Sequence, residues 1–354
     1  MAPPPRARVT GGKVLAPGSP MRRELLSRFA LAAAVGGAGL FVYLVIAQGA
    51  GDLVSALETA GWGLALVALF HLVPMAADAR GLQSLLPPAR RLPFRTMLAA
   101  RWLGESVNGL LPAAQIGGNV VKARRLAQCG VAAPAAAAGV VADLTLGVFT
   151  QIVFTLWGLA LLIAVVDDAA LAGPLLGGTA VMALLLWAFY RLQQQGLFAP
   201  LAAVAARLPG IGSGTARGGA AGVDDALRAI YRDRRTLLAA GSWRLAGWLV
   251  GAGEVWLAMH FLGHPVGWVE ALVLESLGQA VRAAAFAVPG ALGVQEGGYL
   301  VLGALLGLPP ATALALALAK RVRELLLGLP GLLFWQWCEG SGWYRRRARA
   351  RLER

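Results

Sequence analysis

The sequence has 354 residues, 58% of them hydrophobic and only 14% charged, with a formal net charge of +14. Soluble domains carry about 25% charged residues, so the composition excludes an ordinary water-soluble core and a soluble catalytic domain. The basic excess does not indicate nucleic acid: the basic residues sit between apolar segments, with no aromatic-and-basic platform beside them.

Residues 1–28 are basic and rich in Pro, Gly and Ala, and read as a disordered tail rather than a cleavable signal. Within them Met21-Arg22-Arg23-Glu24 is an alternative start to Met1. A bilayer crossing needs about 20 mainly apolar residues. Apolar segments recur at about 30–48, 62–79, 96–121, 134–165, 173–191, 237–261, 268–307 and 311–336. The segments 96–121 and 268–307 are broken by Pro and Gly. If each enters and leaves on one side, six full crossings remain. The expected fold is all-α: a polytopic integral membrane protein with a transmembrane domain over 29–336, six full transmembrane helices and two broken, re-entrant hairpins. A basic tail, 337–354, follows.

Arg and Lys set the orientation, because loops on the cytoplasmic side carry an excess of them. The N-terminal segment, the loop after the second span, the segment 122–125, the loop 191–235 and the C-terminal tail together hold 26 of the 32 basic residues. The opposite loops, 49–61, 166–172 and 262–267, hold none, but contain Asp52, Glu58, Asp167 and Asp168. Both termini are therefore expected in the cytoplasm, with the basic loops facing the anionic inner leaflet. The cytoplasmic loop 192–236 has a flexible break at Pro209–Gly214. Val223, Leu227 and Ile230 then recur at helical spacing beside Arg228, Arg232, Arg234 and Arg235. Two readings stand for that stretch: a helix lying on the membrane face, or a solvated linker helix.

The chain also resembles itself. Leu-Gly-Glu-Ser-Val-Asn at 103–108 matches Leu-Gly-Gln-Ala-Val-Arg at 277–282, and each hexamer sits in a broken segment. The first leads to Pro112 and then Gly117 and Gly118. The second leads to Pro289, Gly290 and Gly293. Segment starts at 62, 103 and 134 pair with starts near 238, 277 and 311, a nearly constant offset. The first span of each pair runs in the opposite direction, so the halves 62–165 and 237–336 form an inverted repeat. Paired interrupted segments in inverted halves point to a transporter-like site at the repeat interface. Pro-kinked ordinary spans are the competing reading.

Ionisable residues within membrane segments are costly and default to functional candidates. Arg101, Glu105 and Asn108 share one helical face, and Glu275, Gln279 and Arg282 form the matching stripe. Glu296 follows the second break. Asp143, Arg244 and Glu254 sit in other spans, and Lys320, Arg321, Arg323 and Glu324 lie inside the last one. The Arg101–Glu105 spacing suits a structural ion pair. Around Arg282 and Lys320–Arg323, four cations face Glu275, Glu296 and Glu324, and this excess favours contact with an anionic headgroup. The candidate substrate-binding residues are therefore Arg101, Glu105, Asn108, Arg282, Glu296, Lys320, Arg321 and Arg323. Pro112, Gly117, Gly118, Pro289, Gly290 and Gly293 are the structural breaks. His71 and His260 read as isolated. No His, Cys, Asp or Glu cluster has metal-ligand spacing, so no metal and no cofactor is expected, and Cys129 and Cys338 read as reduced thiols.

Three runs carry a family likeness: Gly104 to Pro112 with Gly117-Gly118-Asn119 and Lys122 to Leu126; Val288 to Gly297; and Lys320 to Leu325. Together they resemble the transmembrane domain of the lysylphosphatidylglycerol synthase/flippase family, over about residues 25–336. A branch of that family is associated with hopanoid biosynthesis. The resemblance implies a bacterial inner-membrane, lipid translocase-like domain that moves or presents an anionic phospholipid or a hopanoid. Full-length synthases of the family add a cytosolic aminoacyltransferase domain, which the residues after the last span are too few to form. Lysyl transfer, and enzymatic activity generally, is therefore not expected of this chain. Asn119 stands where the family often has Asp, which puts any activity resting on that carboxylate in doubt. The alternatives are an integral-membrane lipid-modifying enzyme and a non-catalytic scaffold for lipid-biosynthesis proteins.

Overall fold

The computed structural model describes residues 50–88, 91–111, 117–166, 213–285 and 288–352, with a few isolated positions within 43–46 and 173–191. The N-terminal tail, most of the segments 30–48 and 173–191, Pro112 and residues 192–212 lie outside the described residues. Every regular element among those described is a helix.

Helix α1 spans Ala50–Ala60, where the sequence reading has a loop. Its Ala and Leu content, uninterrupted by Pro, favours a helix. Helices α2 (Gly63–Phe70) and α3 (Leu72–Ser84) follow and meet at His71. Pro74 causes the interruption. It lacks the N–H that would bond the carbonyl of Phe70, four residues earlier. The bend places His71 at the joint.

Two helical hairpins have matching dimensions. In the first, α4 (Phe94–Leu110) has 17 residues and α5 (Gly117–Gln128) has 12. In the second, α9 (Trp268–Ala284) has 17 and α10 (Val294–Leu305) has 12. A long helix follows each hairpin: α6 (Ala133–Val166) and α11 (Pro310–Leu352). Helix α11 continues through the stretch read as a separate tail from residue 337. Between the halves lie α7 (Ser213–Arg232) and α8 (Arg234–Phe261). The Asp233 carboxylate caps α8 by accepting from the Thr236 N–H at 3.1 Å. That bond and one from the Thr236 hydroxyl hold its carboxyl below the usual range.

The arms of each hairpin pack on one another, and the short arm packs on the long helix that follows it. Each long arm also crosses to the other half: α4 packs on α11, and α9 packs on α6. Helix α3 packs along α8. The two halves thus repeat one order of elements and exchange equivalent contacts.

The breaks are built as the glycines require. Gly290 and Gly293 have φ of 63° and 75°, in the left-handed region that glycine enters without a Cβ penalty. Gly117 and Gly118 open α5. A Cβ on Gly118 would overlap the carbonyl of Gly104, so this glycine permits the two arms to touch backbone to backbone.

Helix α7 departs from both sequence readings. Ser213 and Gly214, assigned to a flexible break, already belong to it. Its apolar stripe neither lies on a membrane nor faces water. Leu227 is fully buried with Leu85, Ala138, Ala142 and Ala240, and Val223 and Ile230 pack beside it. Protein contact has outcompeted the membrane surface for that stripe.

Besides the cluster around Leu227, two further apolar cores accompany a buried layer of charged side chains. One joins Val67, Leu159, Met259, Leu274 and Leu314; the other joins Leu82, Met97, Leu126 and Val140. Outside, large apolar side chains such as Val301, Leu329, Leu333 and Trp337 are exposed, a surface suited to lipid rather than water. Two helical stretches among the described residues, Gly63–Ser84 and Ala133–Val165, are long and apolar enough to cross a membrane. Helices α8 and α11 are long too, but carry the charged layer through their middles.

Candidate functional site

A cavity of about 300 Å³ lies in the charged layer, reached by α3, α4, α5, α6, α8, α9 and α11. That is the small end of the range for ligand pockets, about 300–1,000 Å³, sized for a headgroup rather than a whole lipid. Five of the eight candidate residues line it: Arg101, Glu105, Asn108, Arg282 and Arg323. Lys320 and Arg321 stand behind the wall as partners of the lining residues Glu275 and Glu324, and Glu296 stands behind Arg321.

At the α2–α3 joint, the His71 Nε2 lies 2.6 Å from Glu105 and its Nδ1 lies 2.7 Å from Glu254. Arg323 donates through Nη1 to both oxygens of Glu254 at 2.8 Å, and the same nitrogen is 2.8 Å from His71 Nδ1. Lys320 donates to Glu275 at 2.5 Å, and Glu275 in turn accepts from Gln279 at 2.8 Å. His71 is therefore not isolated. Its sequence neighbours are apolar, and its partners come from 34 and 183 residues away, a separation no local pattern reveals.

A second group lies toward α5 and α6. Arg101 pairs with Asp78 at 2.5 Å and stands 3.7 Å from Glu105. The expected Arg101–Glu105 pair exists, but Asp78 is the closer partner. Arg244 reaches the same Asp78 oxygen at 3.0 Å, and Lys122 pairs with Asp143 at 3.1 Å. Asn108 acts locally: its Oδ1 accepts from the Gly118 N–H at 2.8 Å and ties the first hairpin's arms together.

The third group belongs to the second hairpin. Arg282 pairs with Glu324 and donates to Gln295 at 3.2 Å. Arg321 pairs with Glu296 at 2.9 Å and with Glu324 at 3.1 Å. Glu296 sits in the first turn of α10, where a carboxylate complements the partial positive charge of a helix N-terminus. The protein's own side chain thus occupies a helix end that would otherwise suit an anion.

These contacts change the charge balance. The four cations Arg282, Lys320, Arg321 and Arg323 meet Glu254 as well as Glu275, Glu296 and Glu324, so the local excess read from sequence disappears. Over the connected network, seven basic residues face seven acidic ones, with His71 in addition. An incoming anion must therefore displace a carboxylate rather than find a bare cation.

The profile of the family described as lysylphosphatidylglycerol synthase TM region matches residues 29–331. The chain belongs to this family. The match covers both hairpins, the first long helix, the second as far as residue 331 and the whole charged layer, so the protein is a membrane protein whose function concerns lipids. No curated protein matches the sequence. Among the described residues, no group of three or more His, Cys, Asp or Glu is arranged to hold a metal ion.

The residues that the sequence reading left out of the site, chiefly His71, Asp78 and Glu254, share one signal. Each is an ionisable side chain in a stretch otherwise apolar enough to sit in lipid. Asp78 and Glu254 are also 176 residues apart, the offset of the repeat.

Proposed function

We propose that the protein is a lipid translocase of the bacterial inner membrane. A phospholipid headgroup passes through the charged cavity while the acyl chains stay in the bilayer. Both termini face the cytoplasm, and the two hairpins enter the membrane from opposite faces. Their short arms support the re-entrant reading: 12 residues of helix rise about 18 Å, against about 30 Å of hydrocarbon. The observation that carries the function is the balanced ionic cavity at the junction of the two repeated halves, inside a family domain concerned with membrane lipid.

Movement proceeds by exchange of ion pairs. A headgroup phosphate replaces Glu254 or Glu324 on the arginines, since guanidinium binds phosphate and carboxylate in the same forked geometry. Because each displaced carboxylate keeps a second basic partner, the exchange strands no buried charge. Rocking of one half against the other then re-exposes the headgroup on the far side. The chain moves the lipid without modifying it.

The test is movement of headgroup-labelled phospholipid in liposomes holding the purified protein, read with a membrane-impermeant quencher. The protein should open the inner-leaflet pool to the quencher, and Arg282→Ala with Arg323→Ala should slow this at least about tenfold, equivalent to about 1.4 kcal/mol of barrier. Phospholipid that stays put with folded protein present would overturn the proposal. A hopanoid carrier, an enzyme or a scaffold would then be the reading to pursue.

A further inference from the structure

His71 has more short contacts than one protonation state can satisfy. Its two ring nitrogens each face a carboxylate, at 2.6 Å on Glu105 and 2.7 Å on Glu254. Neutral imidazole has one N–H to donate, whereas both carboxylate contacts require two. Yet Arg323 Nη1, which can only donate, lies 2.8 Å from the same Nδ1 that faces Glu254.

Two states differing by one proton divide these contacts between them: the first keeps both carboxylate bonds and gives up the Arg323 contact, and the second keeps the Arg323 contact and gives up the bond from Nδ1 to Glu254. In the first, His71 is imidazolium and donates from Nε2 to Glu105 and from Nδ1 to Glu254. In the second, the Nδ1 proton has left to cavity water. The Nδ1 lone pair then accepts from Arg323, Nε2–H still holds Glu105, and Glu254 remains bonded to Arg323, with the Lys320 ammonium 3.6 Å away. His71 lines the cavity, so water can bring and remove that proton. Histidine is the side chain whose ordinary charge change falls between pH 5 and 8. The charged groups around it come from every helix that meets the joint: Asp78 on α3, Arg101 and Glu105 on α4, Glu254 on α8, and Lys320 and Arg323 on α11.

We infer that His71 is a proton-binding site that couples proton uptake to occupation of the cavity by an anionic headgroup, so that lipid and proton travel together. This rests on the translocase reading. A phosphate that takes Arg323 removes the cation nearest His71 and leaves Glu254 with Lys320, 3.6 Å away, as its remaining basic residue beside His71. Both changes favour the imidazolium. When the phosphate leaves, Arg323 returns to Glu254 and Nδ1, and the proton departs to water on that side. Proton and anion therefore bind as a pair, and a pH gradient drives lipid toward the more alkaline side.

The experiment uses the full chain in phosphatidylcholine liposomes with a trace of headgroup-labelled phosphatidylglycerol. Movement is followed with no pH difference and with a one-unit difference of either sign. The wild type should move lipid faster along the proton gradient than against it, by a ratio of up to about tenfold, the limit that one pH unit sets. His71→Gln should bring this ratio to about one. Wild-type movement indifferent to the gradient would overturn the coupling while leaving the translocase standing. No movement under any condition would remove both. A His71→Gln protein with the wild-type ratio would overturn the assignment to His71. Should that variant fail to fold, nitrogen NMR of the wild-type imidazoles decides: His71 should gain a proton when phosphatidylglycerol is added near neutral pH, and an unchanged spectrum would overturn the inference.

Discussion

Lys320 and Glu275 are almost fully buried and lie 2.5 Å apart. Removing one partner of such a pair strands the other charge and typically costs about 3–5 kcal/mol, whereas replacing both with apolar groups often costs little. Glu275→Gln should therefore lower the unfolding midpoint in detergent markedly. Lys320→Met combined with Glu275→Leu should cost less than either change alone. Equal or additive losses would show that the pair is not isolated from water. Residue by residue, the sequence exposed most of this network, because a charge in an apolar stretch is conspicuous. Most of the pairing was not visible. Arg101 keeps the expected contact with Glu105 one turn away but lies closer to Asp78 on another helix, and the apparent cationic excess near Arg323 vanished once Glu254 joined it. Sequence counts charges along the chain, whereas the balance is struck across helices.

Among the elements, the hairpins carry the argument. Gly118→Ala would drive a methyl group into the carbonyl of Gly104. Backbone cannot yield as a flexible side chain can, so a loss of about 1–3 kcal/mol is expected, the usual range for overpacking. Gly109→Ala, where a Cβ meets nothing within 4 Å, is the control and should leave the unfolding midpoint nearly unchanged. If the two variants melted alike, the clasp between the arms would not be tight. The breaks were legible because Pro and Gly interrupt helices for stereochemical reasons that hold in any environment. The fate of α7 was not. An apolar stripe reports that something will cover it, not what, and here α6 and α8 do. Helix α1 was also missed, since a short segment with Asp52 and Glu58 reads as a loop until its neighbours are known. The repeat reaches down to single residues: Asp143 on α6 and Lys320 on α11 are 177 residues apart, occupy matching helices and carry opposite charges.

For the molecule as a whole, the asymmetry of Arg and Lys predicts which face is which. With Cys129 and Cys338 replaced by Ser, a cysteine at His264, between α8 and α9, should react with an impermeant maleimide added outside intact cells. A cysteine at Arg228 on α7 should react only after the membrane is opened. The reverse pattern would invert the topology. The family and the helical membrane class could be read from sequence because hydropathy and a few Gly-rich runs survive without structure. The cavity could not, since its wall is drawn from seven helices spread over some 250 residues. The central claim is that a lipid headgroup enters that cavity, and the most direct measurement is photo-crosslinking from within it. Trp248 lines the cavity, while Trp256, two turns further along α8, faces outward with 43% of its surface exposed. A photoreactive aromatic residue at each position, activated in native membranes, separates the cavity from the lipid-facing surface. Phospholipid adducts through the headgroup at position 248, and through acyl chains at 256, are the predicted result. Adducts at 256 with none at 248 would contradict it.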